Sequence, residues 1–96
     1  MPLTFEWNDN KAVSNEKKHG VSFAEATTIF GDPDAITIPD PKHSDIEERK
    51  ITIGESYKGR MLIAVHTERE DNIRIISTRQ ASKKERNQYY EKKERE

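Results

Sequence analysis

The sequence predicts an α+β domain: a short N-terminal strand, two helices, an antiparallel meander of three to four strands, and a closing C-terminal helix. Three observations lead there. Apolar residues alternate with polar ones through the middle of the chain, notably at Ile51/Ile53 and Ile73/Ile75. Two Ser-x-x-Glu signatures, Ser22 to Glu25 and Ser82 to Glu85, mark helix starts. Lys58-Gly59 and Glu70-Asp71-Asn72 separate the last three periodic segments by lengths that suit hairpins.

Phe5-Glu6-Trp7 alternates apolar and polar and suits a strand, after which Asn8 offers an N-cap. Residues 9–18 form a polar helix with Ala12 and Val13 as its apolar contacts, and Gly20 stops it. Ser22 and Glu25 form a capping box for a second helix, which buries Phe23, Ala26, Ile29 and Phe30 and ends at Gly31-Asp32-Pro33. Residues 35–38 read as a short strand closed by Pro39, and 40–45 as a loop.

Strands follow at about 48–56, 61–68 and 73–79. A two-residue turn at Lys58-Gly59 pairs Ile51 with His66 and Ile53 with Ala64, on one face with Leu62. A four-residue connection over 69–72 puts Ile75 and Ser77 beside His66 and Ala64. Thr52, Ile63, Val65, Thr67, Arg74, Ile76 and Thr78 then take the other face, and a one-residue slip exchanges the two sets. Ser82 opens the last helix, expected to run to about residue 91 before a frayed tail over 91–96.

At 96 residues the chain is one domain. Leu, Ile, Val and Phe together number only 18, so the core is thin and suits a partner. Disorder is disfavoured, because 17 basic residues nearly cancel 18 acidic ones. The near-neutral total hides an asymmetry: residues 32–48 carry a net charge of minus five and residues 73–95 plus five. The basic third is a candidate polyanion surface, and the acidic segment a candidate contact for a basic partner. The sequence has no cysteine, which excludes disulfides and thiolate chemistry. It shows no basic-then-apolar leader and no apolar span of about 18 residues, so the cytoplasm is the expected location.

Three histidines titrate near neutral pH when unperturbed. His19 closes a helix, where the dipole favours a cation; His43 sits in a loop; His66, in the middle strand, is the best placed for acid-base work. No metal-ligand spacing is present and no Gly-rich run opens a helix, so no metal or other cofactor is expected. Arg69, Arg74 and Arg79 flank or lie on the last strand, next to the helix bearing Lys83, Lys84 and Arg86. Their donor forks suit phosphate oxygens, and Tyr89 and Tyr90 on that helix could stack on an unpaired base.

From Phe5 to Tyr89 the chain resembles the BrnT family of toxins. The resemblance rests on Phe5-Glu6-Trp7 with Lys11 and Asn15, Lys18-His19-Gly20-Val21-Ser22-Phe23, Glu25-Ala26 and Asp32-Pro33. It continues through His43-Ser44, Glu47-Glu48-Arg49, Ile53-Gly54, Gly59-Arg60, Thr67-Glu68-Arg69, Arg74-Ile75-Ile76-Ser77, Arg79, Ala81, Glu85-Arg86 and Tyr89. One departure is Asn8, where the family usually has Asp; both cap helices.

The resemblance implies a RelE-like fold, a ribonuclease that slows translation, and neutralisation by a BrnA-like ribbon-helix-helix antitoxin through which the complex binds operator DNA. RNA cleavage without a metal needs a base, positive charge on the phosphorane and an acid. The expected catalytic set is Arg74 and Arg79 on the phosphate, His66 or Glu68 as base, and Tyr89 as stacker or acid, with Arg69, Lys83, Lys84 and Arg86 binding RNA. The alternative is a non-catalytic nucleic-acid-binding module or a structural partner subunit.

Overall fold

The computed structural model describes residues 3–40, 42 and 48–95. His43, Asp45 and Glu47 lie outside the described residues. In order, the elements are β1 (Thr4–Glu6), α1 (Asp9–His19), α2 (Phe23–Thr27), a 3-10 turn (Thr28–Gly31), β2 (Ile36–Pro39), β3 (Lys50–Glu55), β4 (Met61–Arg69), β5 (Asn72–Gln80) and α3 (Lys83–Glu94).

The expected antiparallel meander of three to four strands is corrected to a mixed sheet of five, in the order β1-β5-β4-β3-β2. β1 pairs in parallel with β5 through Phe5 and Ile73, while the other pairs are antiparallel. β5 ends the meander with one edge unpaired, and β1 covers part of that edge.

The caps behave unequally. Asn8 accepts from the Lys11 N–H at 3.1 Å, and Gly20 closes α1 at φ 70°. Ser82 and Glu85 form the full reciprocal box on α3. At α2 only half the expected box exists: Ser22 accepts from the Glu25 N–H at 3.0 Å, but the Glu25 carboxylate turns inward to Arg60 and Ser56. α3 also runs beyond the expected end near 91, where Lys92 donates to the Ala35 carbonyl and Lys93 lies 3.8 Å from Asp34.

The expected β3–β4 register is one residue out. The Ser56 N–H donates to the Arg60 carbonyl and the Gly59 N–H to the Ser56 carbonyl, both at 2.8 Å, with Gly59 at φ 77°. The loop is therefore Tyr57-Lys58-Gly59, one residue longer than the two-residue turn, with glycine in the left-handed position that such loops need. Ile51 consequently pairs with Val65 and Ile53 with Ile63.

At the next hairpin His66 does pair with Ile75, but Ile76 is then skipped, so Val65 pairs with Ser77 and Ala64 with Thr78. The corrected first face carries Thr52, Leu62, Ala64, His66, Glu68, Ile75 and Thr78. The second carries Ile51, Ile53, Ile63, Val65, Thr67, Arg74, Ser77 and Arg79.

Each face has its own core. On the first, Val21, Ala26 and Ile29 pack on Leu62 and Ala64, with Phe30 beside them. Gly54 permits this approach: a Cβ there would sit 3.1 Å from Ile29 and Ala35. On the second, Ala81 and Tyr89 cover Ile53 and Ile63. No described helix is long and apolar enough to cross a membrane.

Beyond the end of β1, the Asn15 side chain of α1 continues the ladder along β5. Its amide donates to the Thr78 carbonyl at 2.8 Å and accepts from the Thr78 N–H at 3.2 Å. Asn15→Ala leaves both buried groups unpaired, which is expected to cost about 1–3 kcal/mol. Urea unfolding should show a lower midpoint at unchanged slope; an unchanged midpoint would contradict this role.

Candidate functional site

The expected site residues divide among four environments. Arg74 and Arg79 point from β5 onto the second face, and both are half-buried. Arg69 ends β4, exposed on the same face. Lys83, Lys84 and Arg86 stand exposed on the first turns of α3.

Arg79 is the best-held cation of this group. Its two terminal nitrogens donate to both carboxylate oxygens of Glu85, at 2.8 and 2.9 Å, and Nη1 also reaches the Gln80 carbonyl at 3.2 Å. Glu85 is tied in turn by the capping box at Ser82. Hydrogen bonding with Arg79 holds the Glu85 carboxyl below its ordinary value, and the reciprocal bond raises the Arg79 guanidinium.

Three of five donor protons are thereby used. Among the described residues, Nε–H and the outer Nη2–H, which share one edge of the guanidinium, remain for a ligand. Its side chain is 42% exposed. Arg74 pairs with Glu6, its register neighbour on β1, at 3.0 Å.

His66 and Glu68 lie on the other face. The His66 ring is only 2% exposed; its Nε2 hydrogen-bonds Thr52 at 2.7 Å, Thr52 meets Thr37 at 2.8 Å, and Phe30 packs edge-on at 5.0 Å. Burial pushes its pKa down to about 4, outweighing nearby Glu68. Glu68 is exposed and pairs with Lys50 at 3.4 Å. These two groups cannot touch a phosphate held by Arg79 across the sheet.

The depressed His66 value gives a pH test. A neutral folded histidine contributes stability that is fully present above its ordinary value of 6.5 and is lost as pH falls toward 4. Melting temperature should therefore decline over that window, and NMR should keep the His66 ring neutral down to about pH 4. A ring titrating near 6.5 would contradict the burial.

Tyr89 belongs to the core. It is 2% exposed and donates its hydroxyl to Asp32 at 2.8 Å. Burial first, and then Asp32, push the phenol well above its ordinary range. Its ring reaches no base while the domain is folded. Tyr90, 47% exposed and edge-on to Tyr89 at 5.4 Å, is the accessible aromatic of α3.

Asp32 also accepts from the backbone of Glu55 and Asp34. Burial pushes its carboxyl up, but these donors and Tyr89 outweigh it and hold it low. The start of the acidic segment is thus a clamp between β2, β3 and α3.

Another cluster escapes any local reading of the sequence. Glu25, its side chain 1% exposed, receives Arg60 on both oxygens and Ser56 at 2.8 Å, while Arg60 also donates to the Gly20 carbonyl. Arg60 is the main reason its carboxyl stays low against the cost of burial. The sequence signal was a glutamate inside the apolar turn Phe23–Ile29, which needs a buried partner. Among the described residues, no three His, Asp or Glu side chains converge as a metal site.

Comparison with known proteins adds a family to this geometry. The profile described as "Ribonuclease toxin, BrnT, of type II toxin-antitoxin system" matches residues 7–85. The chain belongs to the BrnT family. BrnT toxins are ribonuclease toxins of type II toxin-antitoxin systems, so an antitoxin partner is implied. The 1.1 Å crystal structure of the Brucella abortus ribonuclease toxin, BrnT, is similar in fold, with a TM-score of 0.66 and 24% identity, covering 85% of this chain and 100% of that one. No curated protein sequence matches at a significant level. The BrnT fold thus provides two sheet faces, and the free arginine edge lies on the one that α3 only partly covers.

Proposed function

We propose that this BrnT-family toxin is an endoribonuclease that cuts single-stranded RNA without a metal, on the open part of the second sheet face. The observation that carries the reading is Arg79, locked by Glu85 with one donor edge unused. Arg74 on the same face and the exposed Lys83, Lys84 and Arg86 on α3 support it. Lysines in the first turn of a helix are disfavoured by the dipole, and a bound phosphate there offsets that cost.

In this reaction the 2′-oxygen bonds to the adjacent phosphorus and the bond from phosphorus to the 5′-oxygen breaks. The products are a 2′,3′-cyclic phosphate and a 5′-hydroxyl, with one proton leaving the 2′-oxygen and one reaching the leaving oxygen. Arg79 donates to the phosphorane oxygens through its free edge, and Arg74 adds charge. The base and acid act on this face. Among the described residues, the carboxylates paired with Arg74 and Arg79 are Glu6 and Glu85, whereas His66 and Glu68 face away and Tyr89 is packed in the core.

The toxin acts on cytoplasmic RNA and slows translation. A ribbon-helix-helix antitoxin of the BrnA kind silences it, and the pair contacts operator DNA through that antitoxin.

A second reading has its own support: among the described residues no strand histidine faces this side of the sheet, so the surface could hold RNA without cutting it. Purified protein incubated with end-labelled RNA in excess chelator separates the two. Cleavage into fragments with cyclic phosphate ends is expected; tight binding without products would favour the second reading.

A further inference from the structure

We propose that the groove between α1 and β5 is a second RNA-backbone subsite, continuous with the face carrying Arg79. The inference rests on the RNA-cleaving reading above and extends it to the path of the strand. The groove has a volume of about 360 Å³ and is lined by Asn10, Lys11, Ser14, Lys18, Ile76 and Ser77, with His19 at one end.

The lining follows from two local facts. Asn10, Lys11, Ser14 and Lys18 recur at three- and four-residue spacings, so they share one side of α1. Asn15, on that side, fixes its distance and orientation by gripping Thr78 of β5. On the strand, Ile76 is the extra residue of the β5 bulge. Bulges re-aim side chains, and this one brings an apolar, half-buried Ile76 to the groove wall.

The chemistry suits a nucleic-acid strand. Among the described residues lining the groove no carboxylate is present, and neither Lys11 nor Lys18 has an ion-pair partner. Two uncompensated ammonium groups meet phosphates, Asn10 and Ser14 offer hydrogen bonds to sugar oxygens, and Ile76 gives an apolar surface for a base. Ser77 lines the groove and also belongs to the second face, between Arg74 and Arg79 in sequence. A strand leaving Arg79 along β5 therefore enters the groove at Ser77.

The test measures binding of a short, uncleavable 2′-O-methyl RNA across a salt series, for wild type and the Lys11→Ala/Lys18→Ala double variant. Each phosphate contact on a single strand contributes about 0.7 to the slope of log affinity against log salt. The double variant should lose about 1.4 from that slope and bind more weakly at low salt, with its melting temperature unchanged.

An unchanged slope with wild-type binding would overturn the subsite and leave the RNA reading standing. An unchanged slope accompanied by loss of antitoxin binding would overturn it in favour of a protein-contact groove. Absence of RNA binding by the wild type would overturn the subsite together with the reading beneath it.

Discussion

Replacing Arg79 by alanine is expected to lower RNA cleavage by about 100-fold or more and to abolish growth arrest, while the domain remains folded. The effect is electrostatic. The phosphorane gains charge relative to the ground state, and a donor already held in place stabilises that charge without reorganising. Glu85 and the Ser82 box hold Arg79 in this way.

The structural cost is small. The Arg79–Glu85 pair is half-buried near the surface, and ion pairs in contact with solvent contribute up to about 1 kcal/mol. Glu85 keeps its capping bond to the Ser82 N–H. Arg79→Lys retains the charge but loses the fork, so it should restore only part of the activity. Full toxicity from a folded Arg79→Ala protein would remove Arg79 from the mechanism.

Tyr89 gives the second large effect, on stability instead of catalysis. Tyr89→Ala opens a cavity between α3 and the sheet beside Ile53, Ile63 and Asp32, at a cost of about 3–5 kcal/mol. Against a typical total of about 5–15 kcal/mol, that is enough to populate unfolded protein at growth temperature.

Tyr89→Phe keeps the ring and loses only the bond to Asp32, so it should cost about 1–3 kcal/mol and preserve cleavage per folded molecule. Thermal melts and specific activity for both variants check this. A folded Tyr89→Phe protein without activity would show that the phenol takes part in the chemistry, which its burial opposes.

What was legible in the sequence was mostly local. Asn8, Gly20, Ser82 and Glu85 act through neighbours within a few residues, and their caps form as their spacing implies. The partner of β1 was not legible, because three alternating residues say strand without saying whose edge they join.

The register error has a similarly small origin. Lys58-Gly59 fits a two-residue loop as well as the three-residue one, and one residue reverses every side chain. The bulge did leave a trace: Ile75 and Ile76 are adjacent apolar residues in a strand that otherwise alternates, which a regular ladder cannot accommodate on one buried face.

For the site, composition pointed to the basic stretch of β5 and α3; Arg79, Lys83, Lys84 and Arg86 stand where the strand meets the helix, while Arg74 lies further back along β5 beside Glu6. The roles of His66 and Tyr89 depend on what packs over them. Phe30 seals His66 and Asp32 holds Tyr89, and both come from a segment more than thirty residues away in the chain. The Glu25–Arg60 pair hid for the same reason, since its glutamate also satisfies a local capping pattern.

The central claim is that RNA lies on the second face, against Arg79. An NMR titration of the labelled protein with uncleavable 2′-O-methyl RNA measures this directly. The account predicts perturbations concentrated at Arg74, Ser77, Arg79, Lys83 and Arg86, with Lys50 and Glu68 on the opposite face unmoved. Perturbations centred on Lys50, His66 and Glu68, with Arg79 silent, would contradict it.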